Sequence, residues 1–171
     1  MSAPHGGGAF VGEGACPLCA QPGGVPVWTS AWMRLIRADE PLHPATWRLL
    51  WNEHVAEFGD LPRLQRLACM DALVLVEREL REALGPRKIN LAALGNLVPH
   101  LHWHVIARWD WDAHWPAPVW APAAREPDAA RLQALRESLP ALDARLRDVL
   151  EQRFGTEIGR AQITRAQITR E

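Results

Sequence analysis

Three histidines, His100, His102 and His104, occupy alternate positions in the segment PHLHWHVIARW at 99–109, with Leu101 and Trp103 between them. In an extended strand, residues two apart project from the same face. The spacing therefore predicts a strand with an imidazole face and an apolar face of Leu101, Trp103 and Val105. The imidazole face must look at water, a ligand or a metal, because buried imidazoles need partners. Two kinds of chemistry suit it. A metal held by all three rings strains the geometry. Same-face Cα atoms are ~6.6 Å apart, which separates His100 from His104 by ~13 Å, whereas zinc–nitrogen bonds are only ~2 Å. Two of the three could share an ion. Nucleophilic catalysis fits the row better. An imidazole of pKa ~6.5 has a free nitrogen at neutral pH. His102 has a histidine on each side, one to orient it and one to donate to an anionic oxygen. Attack on phosphorus would split one displacement into two through a phosphoramidate. Just upstream, Gly95 permits close backbone approach and the Asn96 amide can donate to a phosphate oxygen.

A second chemical signal is CPLC, with Cys16 and Cys19 at a spacing zinc accepts. A closed structural site needs two more ligands, and no second CxxC exists. The other reading is a pair of reduced thiols. Cys69, alone in an apolar stretch, reads as a small buried residue.

The elements that must position these groups follow from periodicity and turn residues. Strands are expected over 32–37 and 47–51, the second leading to His54. From 61 to 84 the apolar residues Leu61, Leu64, Ala68, Ala72, Leu75 and Ala83 recur at helical spacing, with Asp60 as cap and Gly85–Pro86 as stop. PRKINLAAL reads as a strand, GNLVP as a bend, and the histidine segment as the next strand. The stretch after it carries Pro116, Pro118, Pro122 and Pro127 and reads as irregular. The segment 128–154 is helical, with Leu132, Leu135, Leu139, Leu142, Leu146 and Leu150 on one side. Pro140 predicts a break into two helices. The tandem AQITR copies near the C-terminus are too few for a solenoid and read as a disordered tail over 156–171. Strands and helices do not alternate regularly, so an antiparallel α+β sheet is favoured over a doubly wound one.

Composition narrows the field. The chain has 171 residues, 48% of them hydrophobic, which suits one domain. Net charge is −1 and no basic run exceeds two residues, so nucleic-acid binding is not expected. No apolar stretch approaches a membrane span. Residues 1–15 lack the basic and apolar regions of a signal peptide and read as a flexible leader, which gives a cytoplasmic expectation.

The segment HLHWHVI, 100–106, resembles the His-φ-His-φ-His-φ-φ signature of the histidine triad (HIT) nucleotide hydrolases and transferases. The resemblance spans 16–120, through CPLC, NEH at His54, the long helix, KIN, GN and HWP at 114–116. It implies a HIT-like α+β fold, an antiparallel sheet with one long helix packed on it; the additional C-terminal helices expected over 121–155 lie outside the resemblance. It also implies a homodimer and nucleotide substrates: dinucleoside polyphosphates, nucleoside phosphoramidates or adenylylated compounds. By the same resemblance His102 is the nucleophile toward the α-phosphate, His104 contacts that phosphate and the leaving-group side, and His100 orients the centre. Asn90 and Asn96 stand near positions that contact ribose or phosphate, and Asp39 near one that meets ribose hydroxyls. No catalytic metal is implied. Bacterial members with an N-terminal CxxC imply a structural zinc on Cys16, Cys19, His54 and His100. A glutamine in place of the third histidine marks the sugar-nucleotide transferases, so His104 favours hydrolysis. The chain departs from the pattern at Ala45-Thr46, where many members have Gly-His, and at Leu97, where Ser or Thr is usual. A nucleotide-binding module with little turnover and a metalloenzyme using an HxH pair are the competing readings.

Overall fold

The computed structural model describes residues 16–155. The leader read over 1–15 and the tail with its AQITR copies lie outside the described residues. The chain runs through α1 (Pro17–Ala20), β1 (Val25–Thr29), β2 (Met33–Arg37) and β3 (Thr46–Trp51). A 3₁₀ turn (Phe58–Asp60) leads into α2 (Arg63–Leu84), followed by β4 (Lys88–Ala92), β5 (His102–Arg108) and α3 (Ala129–Phe154). The strands form one sheet in the order β1-β2-β3-β5-β4, antiparallel throughout.

Alternation gives this sheet two chemically different faces. Met33 and Leu35 of β2, Trp47, Leu49 and Trp51 of β3, and Val105 and Ala107 of β5 share a core with Cys69, Ala72, Leu73, Val76 and Leu80 of α2. Both long helices pack on this side. The opposite face carries Ile36, Leu50, Arg48, His102 and His104, and only short segments cover it. Cys16, Leu18, Ile36 and Leu50 form a small separate cluster there, with Val98 against it. The imidazole row therefore lies on the face without long helices, and its apolar counterface anchors the strand. Phe58 meets Trp103 edge-on at 5.6 Å between ring centroids.

Several expectations shift. β1 went unread because Gly23, Gly24 and Pro26 look like a turn. Pro26 is tolerated because β1 is an edge strand, and a register shift follows it between Pro26 and Trp28. Gly24 is required by close approach, since a Cβ there would lie 2.4 Å from the Arg37 carbonyl oxygen. Asp60 sits in the 3₁₀ turn and does not cap α2, whose N-cap is Pro62 with no side-chain cap bond. Gly85 does end α2, at φ +55° in the left-handed region. The buried face of α2 is rotated from the expected one. Leu64, Leu67 and Val74 are exposed and Cys69, Leu73, Val76 and Leu80 are buried.

The two C-terminal helices expected from Pro140 are one, α3, which runs through the proline. Leu139 and Leu142 flank it and are buried, so packing holds the backbone across the lost hydrogen bond. Asp128 caps α3 by accepting from the Arg131 amide at 3.0 Å. Leu139, Leu142, Leu146, Leu150 and Phe154 belong to the same core as the sheet. Asp143 fixes the helix to two strands, accepting from Arg37 Nε at 2.8 Å and from the Trp47 indole at 2.9 Å.

Candidate active site

β5 begins at His102, so His100 lies just before the regular strand. The three rings consequently split. His100 is fully buried, and its Nε2–H donates to the Trp51 carbonyl at 2.7 Å. That bond leaves Nδ1 as the acceptor, turned toward the N-terminal cysteines at 3.5 Å from Cys16 Sγ and 3.4 Å from Cys19 Sγ. His102 and His104 stay together, 5.0 Å apart at ring centroids. His102 Nδ1 donates to the His100 main-chain carbonyl at 2.6 Å. This bond fixes the tautomer and leaves Nε2 with the lone pair.

His102 and His104 line a cavity of about 360 Å³ with Arg48, Leu18, Gly95, Asn96 and neighbouring residues of the 94–98 loop. Gly95 adopts φ +69°, a conformation that only glycine enters freely. Burial lowers the His102 ring below the usual histidine value and nearby Arg48 lowers it further, against the opposing pull of its bond to the His100 carbonyl. Burial, the Arg48 charge and His102 bring His104 down to about 4. The cavity therefore presents two neutral imidazoles at neutral pH.

Of the expected substrate residues, the structure brings Gly95 and Asn96 to this cavity and places Asn90 and Asp39 elsewhere. Asn90 shares the sheet face but accepts from Arg108 Nη1 at 2.8 Å. Asp39 is exposed on the loop after β2. His100 reaches the centre through its carbonyl, not through its ring. The residue that sequence reasoning missed is Arg48. It pairs with His104 across the β3–β5 ladder, and a lone cation alternating with apolar residues in TWRLLW was the available signal. Thr46, where a supporting histidine is usual, is buried and donates to the His43 carbonyl at 2.7 Å.

Cys16, Cys19, His54 and His100 each present a ligand atom, and these atoms all lie within 4.8 Å of one another. Cys19 Sγ is 3.4 Å from His54 Nδ1. Sulfur–nitrogen edges of this length match a tetrahedron with Zn–S ~2.3 Å and Zn–N ~2.0 Å, whose edge is about 3.5 Å. The Trp51 carbonyl supplies the outer hydrogen bond that orients a ligating histidine. The residues fit zinc.

A second histidine cluster has a different character. His43 Nε2 and His114 Nδ1 are 2.8 Å apart, a hydrogen bond between rings. Asp112 beside them is already engaged. It takes Arg108 Nε at 2.8 Å and Nη2 at 3.0 Å, and also accepts from the Trp109 and His114 amides. Burial alone would raise this carboxyl, but Arg108 and the two amides hold it below its usual range. This arrangement closes the loop after β5 over the sheet.

Two imidazoles, His102 and His104, thus stand on the open face of a small antiparallel sheet beside a glycine-bearing loop, with the third ring turned to the cysteines. The HIT domain model matches residues 27–110. A histidine triad protein of Sinorhizobium meliloti is 31% identical, covering 73% of this chain and 88% of its own, at a TM-score of 0.59. One of Bradyrhizobium japonicum is also 31% identical, covering 70% and 90% at a TM-score of 0.57. A zinc-bound histidine triad family protein of Mycobacterium smegmatis shares the fold at 21% identity, covering 78% and 99% at a TM-score of 0.53. No curated protein matches the sequence. The chain belongs to the histidine triad family. Among the described residues no helix is long and apolar enough to cross a membrane.

Proposed function

We propose that the protein is a nucleotide hydrolase that cleaves at the α-phosphate through a covalent nucleotidyl–His102 intermediate. The observation that carries this reading is the His102 Nδ1–His100 carbonyl bond at 2.6 Å, which commits one ring nitrogen and leaves Nε2 with a free lone pair. In the first step Nε2 forms a bond to the α-phosphorus, and the bond to the leaving group breaks with its electron pair. In the second, water attacks the phosphorus and gives up a proton to solvent, the P–N bond breaks and the pair returns to Nε2. Gly95 and Asn96 bind the phosphate oxygens and the neutral His104 ring faces the same group. Family membership supports the substrate class, and the neutral rings support nucleophilic chemistry.

Cys16, Cys19, His54 and His100 would hold a structural zinc, which supplies folding energy and no step of the reaction. The four-atom geometry supports it, as does the zinc reported for the M. smegmatis relative. A homodimer in the cytoplasm completes the reading.

Brief incubation with labelled dinucleoside polyphosphate or nucleoside phosphoramidate, followed by peptide mapping, tests it. An acid-labile nucleotidyl adduct on His102 is expected. Turnover with no adduct, or turnover that a chelator stops in correctly folded protein, would favour the metalloenzyme reading.

A further inference from the structure

We propose that Arg48 sets the substrate class at this site: its guanidinium binds an anionic leaving group, so the pocket prefers a nucleotide whose α-phosphate is joined to further phosphate over one joined to an amine. The inference rests on the hydrolase reading and deepens it.

Among the residues lining the cavity, Arg48 is the one with a permanent formal charge. It pairs with His104 while Leu50 pairs with His102. The cation thus stands one two-residue step, ~6.6 Å, along the strands from the nucleophile. That offset matches a group beyond the one bonded to His102. Its side chain leaves the sheet beside His104, with Cβ atoms of such a pair ~5 Å apart.

The fold itself uses this guanidinium poorly. Nη2 pairs with Glu40 at 2.6 Å, and the Glu40 side chain is 41% exposed on a loop. Nε is buried with no hydrogen-bond partner. A purely structural arginine on a sheet face would be expected to have its donors satisfied. A partly exposed ion pair and an orphan donor are what a guanidinium shows when its best partner is a ligand carrying planar, anionic oxygens.

The chemistry then separates substrates. As Nε2 bonds to the α-phosphorus of a polyphosphate, the P–O bond breaks and its electron pair stays on the departing phosphate oxygen. A guanidinium there stabilises that growing charge. An amine leaves only after gaining a proton, and a neighbouring cation opposes the ammonium form.

The test compares kcat/KM for a dinucleoside polyphosphate with that for adenosine 5′-phosphoramidate in the wild type, Arg48→Met, Arg48→Lys and Glu40→Gln. The polyphosphate-to-phosphoramidate ratio should fall about tenfold or more in Arg48→Met, with Arg48→Lys between. It should rise at least about twofold in Glu40→Gln, which releases the guanidinium. An unchanged ratio, or equal losses on both substrates, overturns the proposal. If Arg48→Met fails to fold, the Glu40→Gln ratio decides, and no rise overturns it. If the wild type turns over neither compound, the hydrolase reading fails and binding decides the Arg48 claim. A nucleoside diphosphate should then bind more tightly than the monophosphate, with Arg48→Lys reducing the advantage; equal binding of the two overturns it.

Discussion

His100 serves His102 with its backbone while its ring serves the cysteines: the carbonyl accepts from His102 Nδ1 at 2.6 Å, and Nδ1 of His100 lies 3.5 Å from Cys16 Sγ. One residue thus joins the N-terminal segment to His102. Substituting His102→Ala should lower kcat by roughly 10⁴-fold or more, the scale seen when a nucleophile is removed, while nucleotide still binds in equilibrium dialysis. Retained turnover would remove His102 from the reaction.

Replacing Cys19 with Ser should lower zinc content from about one per chain toward zero, measured by elemental analysis. Tm should fall by about 4–8 °C, the shift that roughly 2 kcal/mol causes in a chain of this size. His54→Ala should act in the same direction. A full zinc complement in both variants would show that the ion is held elsewhere.

The buried histidines make stability pH-dependent. His43 and His104 are each depressed to about 4, both chiefly by burial. Between the ordinary value near 6.5 and about 4, the unfolded chain takes up protons that the folded chain refuses. Stability is therefore full above ~6.5 and declines as pH falls toward 4. Urea midpoints between pH 7.5 and 4.5 should decrease monotonically. His43→Asn should flatten that slope, and a slope identical to wild type would mean that His43 titrates normally.

Arg108 and Asp112 are 1% and 3% exposed and meet at 2.8 Å. Asp112→Ala strands a buried guanidinium and should destabilise by about 3–5 kcal/mol. The double variant Arg108→Met with Asp112→Leu should recover much of that loss, since two apolar groups leave no uncompensated charge. Chemical denaturation of the three proteins reads both effects. A single variant as stable as wild type would show that the pair contributes nothing.

Much of the site was legible because its signals are short in range. Alternation of His with Leu, Trp and Val gave the strand and its two faces, and the leucine stripe of α3 gave its buried side. What was hidden depended on partners distant in sequence. Arg48 gains meaning only when β3 lies against β5 in one register. Asn90 looked free for substrate until Arg108, on the neighbouring strand, claimed its amide oxygen. The buried face of α2 was obscured because Leu64, Leu67 and Val74 supply apolar groups on its outer side too, so periodicity could not choose between stripes. Pro140 was read by its local rule, which packing at Leu139 and Leu142 overrides.

The sheet's two rims are unequal. Along β1, Pro26 offers no amide hydrogen to an incoming strand, and the irregular register after it bends the ladder away from straight pairing. The rim at β4 has neither feature. Of the sheet's two margins, Lys88–Ala92 is therefore the one less guarded against addition of a further strand.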